Sequence, residues 1–357
     1  MADMKRDYYE DVQLFESKVV LFWTASLVAA LLLIPLFSPQ YYIFLMNLIM
    51  VHVVIAVGLN ILVGYTGQIS LGHAGFFAIG AYGTALLMIN LSVPFFPAII
   101  AAGFIAAFFG FILGLPALRL EGPYLAVASL GFGMAIMHII GHWQFFGGRT
   151  GIQAPALDIG WPEFGFSVPV ATDVQKYYLI LFFTIVLVIA ARNIMKTRVG
   201  RSFVAIRDSD IAAEVIGINL TVYKTMAFAI SAFYAGIAGG LFGFVLGFFD
   251  PFTFNLMLSI LFLVMVVVGG LGSMAGPIMG AALITYLQYS LLKNVAETPV
   301  IGEYLVAVSR QWFSVIGLEN INGIVLGLIM ISIVIFEPLG MYGIWLRIKK
   351  YWMTWPF

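Results

Sequence analysis

Long apolar runs alternate with short polar breaks along most of the chain, and each run is close to the roughly 20 residues that a helix needs to cross a bilayer. The pattern predicts about ten transmembrane helices, at about 19–37, 41–63, 69–90, 95–118, 123–142, 177–195, 223–248, 254–269, 274–292 and 321–336. Glycine-rich breaks lie in 64–90 and 269–292, so for these two segments a re-entrant loop is the alternative to a spanning helix. The predicted fold class is all-α, a polytopic helical membrane bundle.

Basic residues near the ends of the spans predict the orientation of the bundle. With both termini in the cytoplasm, thirteen of the seventeen Lys and Arg residues fall inside, and Arg149, Lys176, Lys293 and Arg310 fall outside. Short loops rich in Lys and Arg stay cytoplasmic, and the inverted topology would reverse this bias.

The polar segments complete the predicted domain organisation. Residues 1–18 form a cytoplasmic segment with the pattern of an interfacial helix, and 337–357 form a cytoplasmic tail. Between them lies a transmembrane domain, 19–336, with outer loops at 143–176 and 293–320 and a charged cytoplasmic loop at 196–222.

The second half of the charged loop predicts a short helix with marked ends. Ser209 is a suitable cap for a helix that starts at Asp210, and Gly217 is suited to close it in a left-handed conformation. Such a helix is either a solvated connector or a docking element for a soluble partner. For a membrane protein in general, the connector is the more common case.

Composition excludes several classes of protein. Hydrophobic residues make up 62% of the chain and charged residues 10%, with a mean hydropathy of +1.04, whereas soluble domains carry roughly a quarter charged residues. The chain has no cysteine, so it has no disulfide, thiol nucleophile or cysteine metal ligand. A net charge of zero argues against a broad surface for nucleic acid.

Catalytic chemistry has little support in the sequence. No GxxxxGK[ST], HExxH or GxSxG motif occurs, and the four histidines lack ligand spacing, so we predict no catalytic residue, no metal site and no cofactor bound by this chain. The apolar cores also contain no Asp, Glu, Lys or Arg, which argues against proton coupling. Sodium coupling through carbonyl and hydroxyl groups needs no buried charge and stays open.

Small residues one helical turn apart predict close contacts between helices. They are Gly236, Gly239, Gly240, Gly243 and Gly247 in the seventh span, and Gly276 and Gly280 in the ninth.

The stretch 58–83 adds polar groups to a glycine-rich segment. Glycines at 64 and 67 are able to interrupt the helix, and Ser70 is positioned to cap the next one. An exposed helix N-terminus at membrane depth would attract a substrate carboxylate, whereas a tight cytoplasmic hairpin is the equally weighted alternative.

Three stretches resemble one family of transporters. The phrases GLNILVGYTGQISLGHAGFFAIGAYGTALL, GRSFVAIRDSDIAAEVIGINLTVYKTMAFAISAFYAGIAGGLFG and VVVGGLGSMAGPIMGAAL are similar, in this order, to those of LivM-type permeases. These are inner-membrane subunits of ABC importers for branched-chain amino acids. The resemblance covers roughly 40–340 of the chain.

The resemblance implies a set of partners and a docking site for the ATP-binding subunits. It implies a LivH-type sister permease, a periplasmic amino-acid-binding protein and two ATP-binding subunits, which use ATP and Mg²⁺. The helix at 207–217 would seat in an ATPase subunit. Importer permeases often carry EAAxxxG there, and this chain has Ile211 in place of the leading Glu. The apolar docking face would then be Ile211 and Val215, and its polar rim would be Arg207, Asp208 and Asp210. The other predicted coupling residues are Glu214 and Gly217.

The implied mechanism is alternating access between this chain and its sister, driven by the ATPase subunits. Candidates for lining the path are Asn60, Gln68, Ser70, His73, Tyr82, Ser129 and Asn255. The alternatives are a permease for urea or short-chain amides, and a self-sufficient channel or sodium-coupled carrier.

Overall fold

A computed structural model describes residues 18–116, 120, 122–158, 169–291, 327–328, 331–333, 335–337 and 339–354. Nearly all of the predicted N-terminal segment, the outer loop at 293–320 and most of the tenth predicted span lie outside these residues.

Twelve α-helices and one two-stranded ribbon make up the elements that we describe. The helices are α1 Lys18–Phe37, α2 Gln40–Asn60, α3 His73–Leu91, α4 Phe95–Gly114, α5 Pro123–His142, α6 Asp173–Lys196, α7 Arg198–Asp208, α8 Asp210–Val215, α9 Leu220–Leu246, α10 Leu256–Gly269, α11 Ala275–Tyr286 and α12 Gly340–Thr354. A π-helical turn, Ile61–Tyr65, extends α2, and another, Leu287–Leu291, follows α11.

Six of the helices in the described ranges are long and apolar enough to cross a membrane, namely α2 with its π turn, α3, α4, α5, α6 and α9. The structure shortens three predicted spans. Helix α4 ends at Gly114 rather than at about residue 118. Helix α3 begins at His73 rather than at residue 69. Helix α10 has 14 residues and extends about 21 Å, which is less than the roughly 30 Å of bilayer hydrocarbon. The eighth predicted span is therefore too short to cross as a helix alone.

Helix α9 lies at the centre of the bundle and packs on α2, α3 and α4. Most of its length is buried, as is the second half of α2 on all sides, which explains why both helices are apolar around their whole circumference. Helices α4 and α5 instead expose apolar side chains such as Phe104, Phe108 and Val127. A soluble protein would not leave so many uncovered, whereas lipid or another membrane subunit covers them at no cost.

Glycines let α9 approach α3 backbone to backbone. A Cβ atom on Gly239 would lie 1.9 Å from the carbonyl oxygen of Phe77, and one on Gly80 would lie 1.9 Å from that of Gly236. On Gly236 it would lie 2.7 Å from the Cβ atom of Ala106 in α4. No larger residue fits at this crossing without moving a helix.

The other predicted packing glycines divide into three kinds. A Cβ atom on Gly240 would meet Thr84, one on Gly243 would meet the ring of Phe249, and one on Gly280 would lie 1.9 Å from the carbonyl oxygen of Met265. Gly276 packs against the turn that precedes its own helix. Gly247 departs from the prediction, because it ends α9 with φ +76° and nothing lies within 4 Å of its Cβ position. It is a left-handed helix cap and not a packing residue.

A short antiparallel ribbon pairs β1 Ile152–Gln153 with β2 Phe248–Phe249. It lies where α9 ends, and the amide of Ala154 donates to the carbonyl of Gly247 at 2.8 Å. The predicted loop at 143–176 is therefore partly folded back onto the bundle, at the end opposite α8. The sequence does not predict this ribbon.

Candidate functional site

Helices α7 and α8 form a helical corner at one end of the bundle. The hydroxyl of Thr197 accepts from the amide of Val199 at the start of α7, and the hydroxyl of Ser209 accepts from that of Ala212 at 3.2 Å. After α8, Gly217 has φ +89°, so both ends of the short helix lie as the sequence predicts.

Helix α8 presents apolar side chains away from the bundle. Ile211 is 78% exposed, Val215 is 81% exposed and the neighbouring Ile216 is 72% exposed, whereas Ala213 on the opposite side is buried. Asp208 and Glu214 are also exposed. We call Ile211, Val215 and Ile216 the α8 face.

Two charged residues that the sequence assigned to the rim of this face instead bind within the chain. The guanidinium of Arg207 donates from Nη1 to the carbonyl oxygen of Gly64 at 2.7 Å. The carboxylate of Asp210 forms an ion pair with Lys224, which is buried near the start of α9. These contacts attach both sides of the helical corner to the membrane bundle.

Arg207 reaches a point where three segments of backbone meet. Asn60 accepts from the amide of Gly272 at 3.0 Å through Oδ1 and donates to the carbonyl of Ser273 at 2.9 Å through Nδ2. A Cβ atom on Gly64 would lie 2.5 Å from the amide nitrogen of Gly272. We call Asn60, Gly64, Arg207, Gly272 and Ser273 the junction. It joins α7, the end of α2 and the turn between α10 and α11.

The end of α2 at the junction is irregular for a local reason. After the π turn, the hydroxyl of Thr66 donates to the carbonyl of Leu62, and Gly67 turns the chain with φ +71°. The amide of Gln68 also donates to the carbonyl of Leu62, at 3.1 Å. A side chain at position 67 would be strained at this φ, so glycine is required.

Hydroxyl groups from three helices hold the start of α3. The amide of Leu71 donates to Ser129 of α5 at 2.9 Å, and the amide of Ala74 donates to Ser259 of α10 at 2.9 Å. His73 contacts Ser231 of α9 at 2.8 Å through Nε2.

This arrangement differs from the predicted exposed helix N-terminus. Ser70 contacts the His73 ring at 2.9 Å, and the helix N-cap is Gly72, which makes no side-chain capping bond. Because Ser129 and Ser259 already accept from the backbone here and His73 is fully buried, the N-terminus of α3 is not open to a substrate carboxylate. The segment does form a short connection between two candidate spans, as the hairpin alternative predicts, and buried hydrogen bonds to three other helices hold it in place.

The remaining path candidates have different surroundings. Asn255 is exposed and caps α10, with Oδ1 accepting from the amide of Leu258 at 3.0 Å. Tyr82 and Gln68 are buried, and in the described part of the chain neither the Tyr82 hydroxyl nor either Gln68 amide atom has a hydrogen-bond partner. Of the seven candidates, only these two leave a buried polar side chain unoccupied. Within the described ranges, no three His, Asp or Glu side chains cluster as a metal site would need.

Sequence reasoning missed several residues of this site. Helix α7 had a readable signal, because Thr197 precedes the apolar residues Val199, Phe203 and Ile206 at helical spacing. A sequence signal also marks Lys224, Ser231 and Ser259, because each is an isolated polar residue in an apolar run. No local sequence signal marks Gly272 and Ser273, since their partner Asn60 is more than 200 residues away.

Comparisons with known proteins agree with the resemblance. The family model described as the permease component of branched-chain amino acid transport systems matches residues 41–334. The high-affinity branched-chain amino acid transport system permease protein LivM of Escherichia coli K12 is 35% identical in an alignment of 299 residues. This alignment covers 78% of this chain and 70% of that protein. LivM of Salmonella typhimurium is 35% identical over 70% of this chain and 63% of its own length.

A second type of permease is more distantly similar. The high-affinity branched-chain amino acid transport system permease protein LivH of Salmonella typhimurium is 25% identical over 65% of this chain and 79% of its own length. No solved structure is significantly similar to the chain. The match over residues 41–334 and the identity to LivM show that this multi-pass membrane protein belongs to the LivM-type permease components of branched-chain amino acid transport systems.

Proposed function

We propose that the chain is one of two permease subunits of an ABC importer that brings branched-chain amino acids into the bacterial cytoplasm. A LivH-type sister permease, two ATP-binding subunits and a periplasmic amino-acid-binding protein complete the importer. The subunits that bind ATP and Mg²⁺ are the partners, and this chain has no ATPase site of its own. The α8 end of the bundle and both termini lie on the cytoplasmic side of the inner membrane.

The observation that carries this proposal is the α8 face. Three large aliphatic side chains stand exposed on α8 and its C-cap residue, on a short helix that is not one of the six helices long enough to cross a membrane. A solvated connector gains nothing from such a face, whereas a groove on a soluble subunit buries it favourably. This favours the docking interpretation over the connector.

The junction supplies the rest of the proposed mechanism. When ATP closes the partner subunits, α8 moves with the groove in which it is seated. Arg207 and the ion pair between Asp210 and Lys224 pass this movement to α2 and α9. The path between this chain and its sister then changes the side from which it is accessible. The binding protein supplies the substrate from the outer side.

The relatives favour this substrate over the alternatives. Both LivM and LivH are named for branched-chain amino acid transport, and neither name refers to urea, amides or ion coupling. The weaker similarity to LivH also fits a pair of related permeases in one importer.

Co-purification tests the docking face. The double change of Ile211 and Val215 to Asp places two charges on the α8 face and is expected to abolish retention of the ATP-binding subunits. The control is Phe252→Asp, which makes the same kind of change at an exposed position on the opposite end of the bundle. Equal retention by the double variant and the control would refute α8 as the docking element.

A further inference from the structure

A cavity of about 360 Å³ lies between the helical corner, the loop after α2 and the start of α5. This volume is in the range of small-molecule sites. The cavity lining includes Gln68, Leu125, Ile206, Arg207, Asp210 and Lys224.

Gln68 is the first sign that the cavity receives a ligand. Gln68 lines the cavity and is only 6% exposed, yet neither Oε1 nor Nε2 has a hydrogen-bond partner among the described residues. Buried polar atoms almost always have partners, and a change of the Gln68 side-chain rotamer toward the adjoining cavity would supply one in a bound molecule. Because an amide offers both a donor and an acceptor, it suits a ligand that carries both.

Charge on the cavity wall specifies the ligand further. The guanidinium of Arg207 uses Nη1 for Gly64 and has further N–H groups with which to bind a carboxylate. The carboxylate of Asp210, which pairs with Lys224, is an acceptor for an ammonium group. Arg207 and Lys224 give the wall two positive charges and Asp210 gives it one negative charge, so a ligand that carries a carboxylate beside an ammonium group matches both signs.

Apolar side chains complete the cavity wall. Leu125 and Ile206 are almost fully buried and line the same space. They match an aliphatic side chain on the ligand, which a charged or polar side chain would not do.

We propose that this cavity is a binding site for a free branched-chain amino acid on the cytoplasmic side of the permease. The inference rests on the proposed function, which makes such an amino acid the product released at this end. The site is built from Arg207 and Asp210, the same side chains that attach α7 and α8 to the bundle. Product therefore binds where the movement of the ATP-binding subunits enters the membrane domain.

Binding of radiolabelled L-leucine tests the site. The protein is the complex of both permeases and the ATP-binding subunits in lipid nanodiscs, without the binding protein, measured by scintillation proximity. We expect saturable binding and a loss of affinity of at least about tenfold in Gln68→Leu, which removes both amide groups. Gln144→Leu is the matched control, because Gln144 is exposed at the opposite end of the bundle, and it is expected to bind like the unchanged complex.

Analogues test the ligand class on the unchanged complex, so this arm does not depend on the folding of a variant. We expect 4-methylpentanoate, 3-methylbutylamine and glycine each to compete at least about tenfold less well than leucine, since each lacks one of the three groups that the cavity recognises. Equal competition by these molecules, or equal binding by Gln68→Leu and Gln144→Leu, overturns the proposal.

A transport measurement separates this inference from the proposed function. ATP-dependent leucine uptake by proteoliposomes that also receive the binding protein tests the importer. Uptake without leucine binding to the nanodisc complex would refute the cytoplasmic site alone. Absence of uptake for all branched-chain amino acids would refute the function itself.

Discussion

At the crossing of α3 and α9, the addition of a single methyl group is expected to lower the free energy of unfolding by an amount that follows from the contacts there. In Gly239→Ala the new Cβ atom would lie 1.9 Å from the carbonyl oxygen of Phe77, 2.8 Å from its carbonyl carbon and 3.1 Å from the amide nitrogen of Ala81. All three are backbone atoms, which cannot rotate away as a side chain does. Normal contact requires the helices to separate by more than about 1 Å, and this disrupts the packing along their length.

We expect Gly239→Ala to destabilise the folded protein by about 1–3 kcal/mol, as overpacking does in other well-packed cores. Gly131→Ala in α5 is the matched control, because nothing lies within 4 Å of its Cβ position. There, the higher helix propensity of alanine is expected to stabilise by up to about 1 kcal/mol. The two variants make the same chemical change and should differ in unfolding free energy by about 1–4 kcal/mol.

Equilibrium unfolding in mixed micelles of dodecyl maltoside and increasing SDS, followed by circular dichroism, measures this difference. If both alanine variants unfold at the same SDS fraction, α3 and α9 do not meet through their backbones and the packing described for the core is wrong. The result does not depend on transport activity, so it tests the fold separately from the function.

Three further predictions concern the junction and the helical corner. Asn60→Leu leaves the amide of Gly272 and the carbonyl of Ser273 without partners, so we expect a loss of about 2–4 kcal/mol in the same unfolding assay, and an unchanged midpoint would contradict these bonds. Arg207→Met is expected to leave ATP hydrolysis by the assembled importer largely intact while leucine uptake per ATP falls at least about fivefold; an unchanged ratio would exclude Arg207 from coupling. Lys224→Met removes the partner of a carboxylate on α8, and we expect faster amide hydrogen exchange across residues 209–219 with little change in α5. Equal exchange of this segment in Lys224→Met and in the unchanged protein would show that the ion pair does not hold α8.

Local patterns in the sequence were sufficient for the elements whose ends are set by nearby residues. Helix α5 runs from Pro123 to His142 as predicted, because proline is favoured in the first turn of a helix. Helix α8 begins after Ser209 and is followed by a left-handed Gly217, again as predicted. Each of these signals acts within a few residues of where it is found.

Contacts between distant parts of the chain were beyond such reasoning. The polarity of Ser129 suggested a path, but its hydroxyl accepts from the amide of Leu71, 58 residues earlier. The charge of Arg207 suggested a surface rim; the residue is exposed, and its guanidinium also donates to a carbonyl 143 residues earlier. Polarity predicts that a buried group needs a partner, and only the three-dimensional arrangement says which one. That is why the orientation of these side chains had to come from the structure.

The amide of Asn60 has a mechanical consequence for how this subunit can rearrange. Asn60 belongs to α2 and hydrogen-bonds to the turn between α10 and α11, so its amide links the ends of these three helices. Arg207 donates to the carbonyl of Gly64 beside the same turn. In the proposed mechanism, a displacement of Arg207 therefore acts on α2, α10 and α11 together and not on α2 alone.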